Sequence, residues 1–184
     1  ILLINLATDG LPALALGLEP AEPEVMSQKP RPGNESVFSN GLATTIVFRG
    51  CMIGLTTLMV FTNFMRHFGH LDLARTAALL TLVTTQLFHV FECKSERRSL
   101  WKINPFSNLA LIGAVLVSMA LIGIVIYHPW MQMIFQTVPL TAEQLLRVLG
   151  YAAVVPLVSS VIMLLPIKQK NDLELPEGKE AKQS

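Results

Sequence analysis

Residues 108–127 read NLALIGAVLVSMALIGIVIY and contain no charged side chain. A helix needs about 20 mostly apolar residues to cross the hydrocarbon core of a bilayer. Helices that bury one face in a soluble protein usually keep a polar face on the other side, and this stretch has none. It therefore predicts a transmembrane helix and decides the fold class.

Similar apolar blocks lie on both sides of this stretch, and charged residues fall between them. Hydrophobic residues make up 52% of the chain and charged residues 15%, whereas a soluble domain has roughly a quarter charged residues. We predict an all-α integral membrane bundle of five transmembrane helices, at about residues 1–18, 42–65, 73–91, 108–127 and 145–167. The first helix is interrupted at Asp9–Pro12. Because the chain begins inside an apolar block, we expect it to be a piece of a longer protein.

The positions of lysine and arginine predict the orientation of the bundle. Cytoplasmic connections of membrane proteins carry an excess of these residues. Most of them lie in the connections 19–40 and 92–106 and in the tail 168–184, so we place these segments and the C-terminus in the cytoplasm. The whole chain, 1–184, then forms one membrane domain. No basic patch is interleaved with aromatic residues, and this argues against nucleic acid as a partner.

The interrupted first block carries the most informative polar residues. Asn5, Thr8 and Asp9 are spaced to share one helix face, and all three offer the oxygen ligands that Ca²⁺ prefers. A carboxylate inside a membrane segment suggests a functional site, and Pro12 weakens the helix at that point. The alternative is that Thr8 or Asp9 caps a helix that begins near Leu11.

The run NLATDGLPALALGLEP, residues 5–20, resembles the sixth transmembrane helix of P-type ATPases of the calcium-pump class. The following Glu24–Met26 and Lys29–Arg31 resemble the cytoplasmic loop after that helix. The later blocks agree in number and length with helices seven to ten. The resemblance is to bacterial pumps of the plasma-membrane and sarcoplasmic-reticulum types, and it implies part of a translocase that exports Ca²⁺ across a bacterial plasma membrane.

The resemblance also implies a set of metal ligands. Asn5, Thr8 and Asp9 match the ligands of the sixth helix, with Asp9 as the central carboxylate. Gln86 stands where two-site pumps have a glutamate in the eighth helix, and this departure implies one transported Ca²⁺ per cycle. A hydrogen bond between helices is the alternative role for Gln86. His89 shares its helix face and is either a proton carrier or a structural residue.

Other parts of such a pump are absent from the sequence. The chain has no Asp-Lys-Thr-Gly-Thr phosphorylation motif and no nucleotide domain, so we predict no catalytic residue here. The resemblance implies that ATP and Mg²⁺ bind only to missing cytoplasmic domains. The expected partners are those domains, helices one to five of the same pump and the lipid bilayer. Two alternatives are half of a secondary cation transporter and a non-catalytic membrane assembly module.

Overall fold

The computed structural model describes residues 6–19, 42–93 and 107–164, with the side chains of residues 7–8 and 159–164 left out of the description. These ranges contain helices and connections but no strand, which confirms the predicted all-α class. A short π-helical turn, Leu6–Gly10, comes first. It is followed by α1 (Leu11–Leu16), α2 (Leu42–Phe68), α3 (Leu71–Glu92), α4 (Leu109–Tyr127), α5 (Pro129–Phe135) and α6 (Ala142–Leu164).

Three helices in the described ranges are long and apolar enough to cross a membrane. They are α2, α3 and α4, with 27, 22 and 19 residues. The other two predicted crossings, at 1–18 and 145–167, extend past the described residues and stay predictions. The helix at the second of these sites begins at Ala142, three residues before the predicted start.

The connection between α2 and α3 is shorter than predicted, since the predicted helices 42–65 and 73–91 leave a loop at 66–72. It consists of Gly69 and His70, because α2 continues to Phe68 and α3 begins at Leu71. Gly69 has a φ of 68°, and its N–H donates to the Met65 carbonyl at 3.0 Å. A left-handed glycine with this hydrogen bond is a common helix stop, and it fixes the tight reversal between the two helices.

Replacing Gly69 with alanine should destabilise this reversal by about 1 kcal/mol, because a side chain disfavours the left-handed conformation. The matched control is Gly113→Ala, since Gly113 lies within α4 and a methyl group there meets no neighbouring atom within 4 Å. We expect a lower unfolding midpoint in detergent for G69A and an unchanged or slightly higher one for G113A. Equal midpoints for the two variants would contradict this account.

Helix α5 was not predicted from the sequence and lies within the connection after α4. The Gln132 side chain donates to the Ile126 carbonyl at 2.6 Å, and the Thr137 hydroxyl donates to the Val125 carbonyl at 2.7 Å. These two bonds hold α5 and the residue after its C-cap against the last turn of α4. A helix of seven residues has too few turns to show a periodic pattern, which explains why the sequence did not reveal it.

Helix α3 lies at the centre of the fold. It packs against α2, α4, α6 and the π-helical turn, while α1 packs against α4. Its buried residues include Ala74 and Ala77, whose small side chains permit close helix approach, and several threonines. The Thr81 and Thr85 hydroxyls donate to backbone carbonyls four residues earlier, so these side chains are hydrogen-bonded within an apolar core.

Candidate functional site

The π-helical turn contains Asp9 and Gly10 and leads directly into α1. Pro12 lies in the first turn of α1, and its nitrogen has no hydrogen to donate to the Thr8 carbonyl four residues earlier. The wider turn therefore occurs where the proline prevents regular α-helical bonding. Such π-helical turns are rare in proteins, and those that occur are often found at functional sites.

The helix-cap alternative for this segment agrees with the structure in one respect only. Helix α1 does begin at Leu11, but the residue at its N-cap position is Gly10 rather than Thr8 or Asp9. The Asp9 side chain is exposed, and its carboxylate forms no ion pair with another residue of the described ranges.

The other candidate ligands are described to different extents. Asn5 lies outside the described residues, and only the backbone of Thr8 is described, within the turn. Gln86 is half-buried on α3, and the π-helical turn packs against α3 and α4. The fold thus brings the segment with Asp9 against the helix with Gln86.

The described ranges contain no group of three or more His, Cys, Asp or Glu side chains placed to bind a metal ion. Ca²⁺ takes six to eight oxygen ligands, and Asp9 is a single carboxylate. A calcium site at Asp9 therefore requires further oxygens from neutral side chains, backbone carbonyls, water or other segments.

Comparison with known proteins decides the family. Residues 1–165 match the family model described as "Cation transporting ATPase, C-terminus". The chain belongs to this family. The match covers most of the chain, including the π-helical turn and all six described α-helices.

Several relatives of this cation-ATPase region are named as calcium transporters. The chain is 47% identical over 155 residues to a calcium-transporting ATPase of Bacillus subtilis, covering 84% of the chain and 17% of the relative. It is 35% identical over 187 residues to calcium-transporting ATPase 1 of Bacillus cereus (91% and 20%). It is 33% identical over 171 residues to calcium-transporting ATPase 1 of Yarrowia lipolytica (92% and 18%). The chain spans a fifth or less of the length of these relatives.

The cation-ATPase region also contains a buried charge pair that sequence reasoning missed. The Arg49 guanidinium lies 3.6 Å from the Glu92 carboxylate, and their side chains are only 12% and 4% exposed. In the sequence-based prediction Arg49 lies within the helix 42–65 and Glu92 in the connection 92–106, with no contact expected between them. A buried charge usually has a partner, so an arginine inside an apolar block was the available signal.

His89 joins the same cluster of side chains. Its Nδ1 lies 2.8 Å from a Glu92 carboxylate oxygen, and its Nε2 lies 3.7 Å from the Cys93 sulfur. Both ring nitrogens therefore contact neighbours close in sequence, Glu92 in the last turn of α3 and Cys93 at its C-cap. These contacts favour the structural role for His89 over the role of a proton carrier.

Proposed function

We propose that this region is the C-terminal membrane part of a longer, ATP-driven pump that exports Ca²⁺ across a bacterial plasma membrane. The observation that carries the proposal is Asp9, an exposed carboxylate in a π-helical turn of a chain that belongs to the cation-transporting ATPase family. The printed names of the relatives support calcium as the transported ion.

In this proposal Asp9 supplies the negative charge of the ion site. Asn5, Thr8 and Gln86 supply neutral oxygens, and the interruption before Pro12 makes backbone carbonyls available. Irregular backbone at membrane depth is tolerated where it is buried in protein or lines a cavity, which is the setting that an ion path requires. ATP and Mg²⁺ bind to cytoplasmic domains outside this chain, and helices one to five supply further ligands.

The proposed orientation places the C-terminus in the cytoplasm. The lysine and arginine pattern carries this assignment, and two side-chain contacts support its grouping of segment ends on one side. Glu19, after α1, accepts a hydrogen bond from Asn108, before α4. Arg49 of α2 likewise pairs with Glu92 at the end of α3.

The test is uptake of radiolabelled Ca²⁺ by inside-out vesicles that contain the full-length pump. We expect uptake that requires ATP and that is released by a calcium ionophore. Uptake driven by an ion gradient without ATP would favour a secondary transporter. Absence of uptake under both conditions, with the protein present in the vesicles, would favour a non-catalytic assembly module or another ion.

Gln86 leads to a prediction about stoichiometry. An amide offers oxygen but no charge, so a second Ca²⁺ site at α3 would lack the carboxylate that increases affinity. We expect one Ca²⁺ to be transported for each ATP hydrolysed. The measurement is the ratio of initial Ca²⁺ uptake to phosphate release in sealed vesicles, with leak subtracted by use of the ionophore. A ratio of two would contradict the prediction.

A further inference from the structure

We propose that Asn108 is a positioning residue for the ion site, because its side chain fastens the C-terminal end of α1 to the start of α4. This inference rests on the proposed function, since it concerns the placement of Asp9. It assigns a role to a residue that lies outside the candidate ligand set.

Asn108 uses every hydrogen of its amide group. The Oδ1 atom accepts from the Leu111 N–H at 2.9 Å and so caps the N-terminus of α4. The Nδ2 atom donates to the Ala15 carbonyl at 2.8 Å and to a Glu19 carboxylate oxygen at 2.9 Å. With a donor on one side and two acceptors on the other, the amide has only one favourable orientation.

This amide is buried, which raises the free-energy cost of losing its partners. Asn108 is 4% exposed and Ala15 is 6% exposed. A buried donor or acceptor without a partner is destabilising, because it has lost its hydrogen bonds to water as well. The contact between α1 and α4 is therefore specific in position, unlike the apolar packing around it.

Glu19 strengthens the same junction. Its second carboxylate oxygen accepts from the Ser107 hydroxyl at 3.1 Å, so residues just before α4 bind both oxygens. The N-terminal end of a helix carries a partial positive charge that favours a nearby anion. The carboxylate of Glu19 is thus held at the start of α4 by hydrogen bonds and by the helix dipole.

The position of Asp9 depends on this junction because α1 is short. Helix α1 has six residues, and the π-helical turn separates it from the chain before. Ala15 lies about 9 Å along the helix from Asp9, at 1.5 Å per residue. Loss of the Asn108 bonds removes the buried hydrogen bond to the Ala15 carbonyl and leaves the exposed Ser107–Glu19 bond and apolar packing to hold the end of α1. Ligand geometry has to be kept within about 0.5 Å to be effective.

The variant that isolates this role is Asn108→Ser in the full-length pump. Serine still caps α4, but its short hydroxyl does not reach both Ala15 and Glu19. We expect the Ca²⁺ concentration for half-maximal uptake to rise about tenfold, equivalent to about 1.4 kcal/mol, while the maximal rate falls less than twofold. The control is Thr141→Ala, which removes a different helix-start hydroxyl, one that accepts from the Gln144 N–H. We expect no change in its calcium dependence.

A reciprocal exchange tests the hydrogen bond itself. In Asn108→Asp the new carboxylate faces Glu19 and the Ala15 carbonyl, so calcium affinity should fall at least as far as in N108S. Adding Glu19→Gln exchanges donor and acceptor, since the new amide at position 19 can donate to the new carboxylate at position 108. The double variant should therefore recover part of the calcium affinity. Unchanged calcium dependence in N108S, a fall in maximal rate alone, or no recovery in the double variant would overturn the positioning role.

The two hypotheses fail in different ways. If wild-type vesicles take up no Ca²⁺, the calcium assignment is wrong, and the role of Asn108 toward calcium is wrong with it. The junction is then judged from the unfolding midpoints of four proteins: wild type, N108D, the single variant E19Q and the double variant. Additive midpoint changes would overturn the junction as well, whereas recovery in the double variant would support it.

Discussion

Replacing Asp9 with asparagine should reduce ATP-dependent Ca²⁺ uptake by the full-length pump by about tenfold or more, a change of at least about 1.4 kcal/mol. Asparagine has nearly the same size and keeps one oxygen, so the substitution removes the charge with little change of shape. The affinity of a calcium site depends on the number and charge of its ligands, and Asp9 is the carboxylate of the proposed site. The measurement is initial uptake rate against free Ca²⁺ concentration in vesicles.

The matched control for this variant is Asp72→Asn. Asp72 also lies in the described part of the membrane bundle, but its side chain is 64% exposed and lies 3.9 Å from Arg75, one turn further along α3. Exposed ion pairs contribute little to stability, so D72N should retain uptake. Normal uptake by D9N, with the protein inserted in normal amount, would remove Asp9 from the ion site. Equal losses in D9N and D72N would show a general effect of charge removal.

The second large effect is expected at the buried pair of Arg49 and Glu92. Glu92→Ala leaves the guanidinium without this carboxylate in a site where both side chains are largely buried. Removing one partner of a buried ion pair typically lowers stability by about 3–5 kcal/mol. We expect the free energy of unfolding in detergent to fall by an amount in this range, because α2 and α3 lose their charged contact and His89 loses its carboxylate partner.

Replacing both partners should cost much less than replacing one. The double variant Arg49→Met with Glu92→Leu puts apolar side chains of similar volume in the pair's place, and such exchanges are often neutral. Glu143→Ala is the control for an exposed pair, since Glu143 and Arg147 form a 2.7 Å contact with side chains 75% and 41% exposed. A double variant less stable than E92A would show that the pair itself is not the source of the effect.

The sequence predicts the helical class and most helix positions because long apolar blocks are a strong local signal. The helix at residues 109–127 begins within one residue of the predicted start, and its N-cap is Asn108. The helix pair at Gly69 is different, since the sequence placed a loop at 66–72 where the helices leave only two residues. Arg66 and His67 lie in the last turn of α2, where basic residues interact favourably with the helix dipole.

The candidate site is only partly readable from sequence. Asp9 and Pro12 lie in one short run, so their combination is visible without a structure. The bonds of Asn108 to Ala15 and Glu19 join segments far apart in the sequence, and no local pattern reveals such contacts. Glu92 was placed in a basic loop for the same reason, because its partner Arg49 lies on another helix.

The junction at Asn108 has a consequence for biosynthesis. Ala15 and Asn108 are 93 positions apart, and a ribosome adds about 5–20 residues per second. Roughly 5–20 s therefore pass between the synthesis of α1 and the synthesis of Asn108, whose amide binds the Ala15 carbonyl near the end of α1. During this interval α2 and α3 enter the membrane while the carbonyl of Ala15 still lacks the amide of Asn108. The nascent chain thus passes through a stage in which the segment that carries Asp9 is inserted but lacks the hydrogen bonds from Asn108. A chain that stops before Asn108 leaves the ribosome without them.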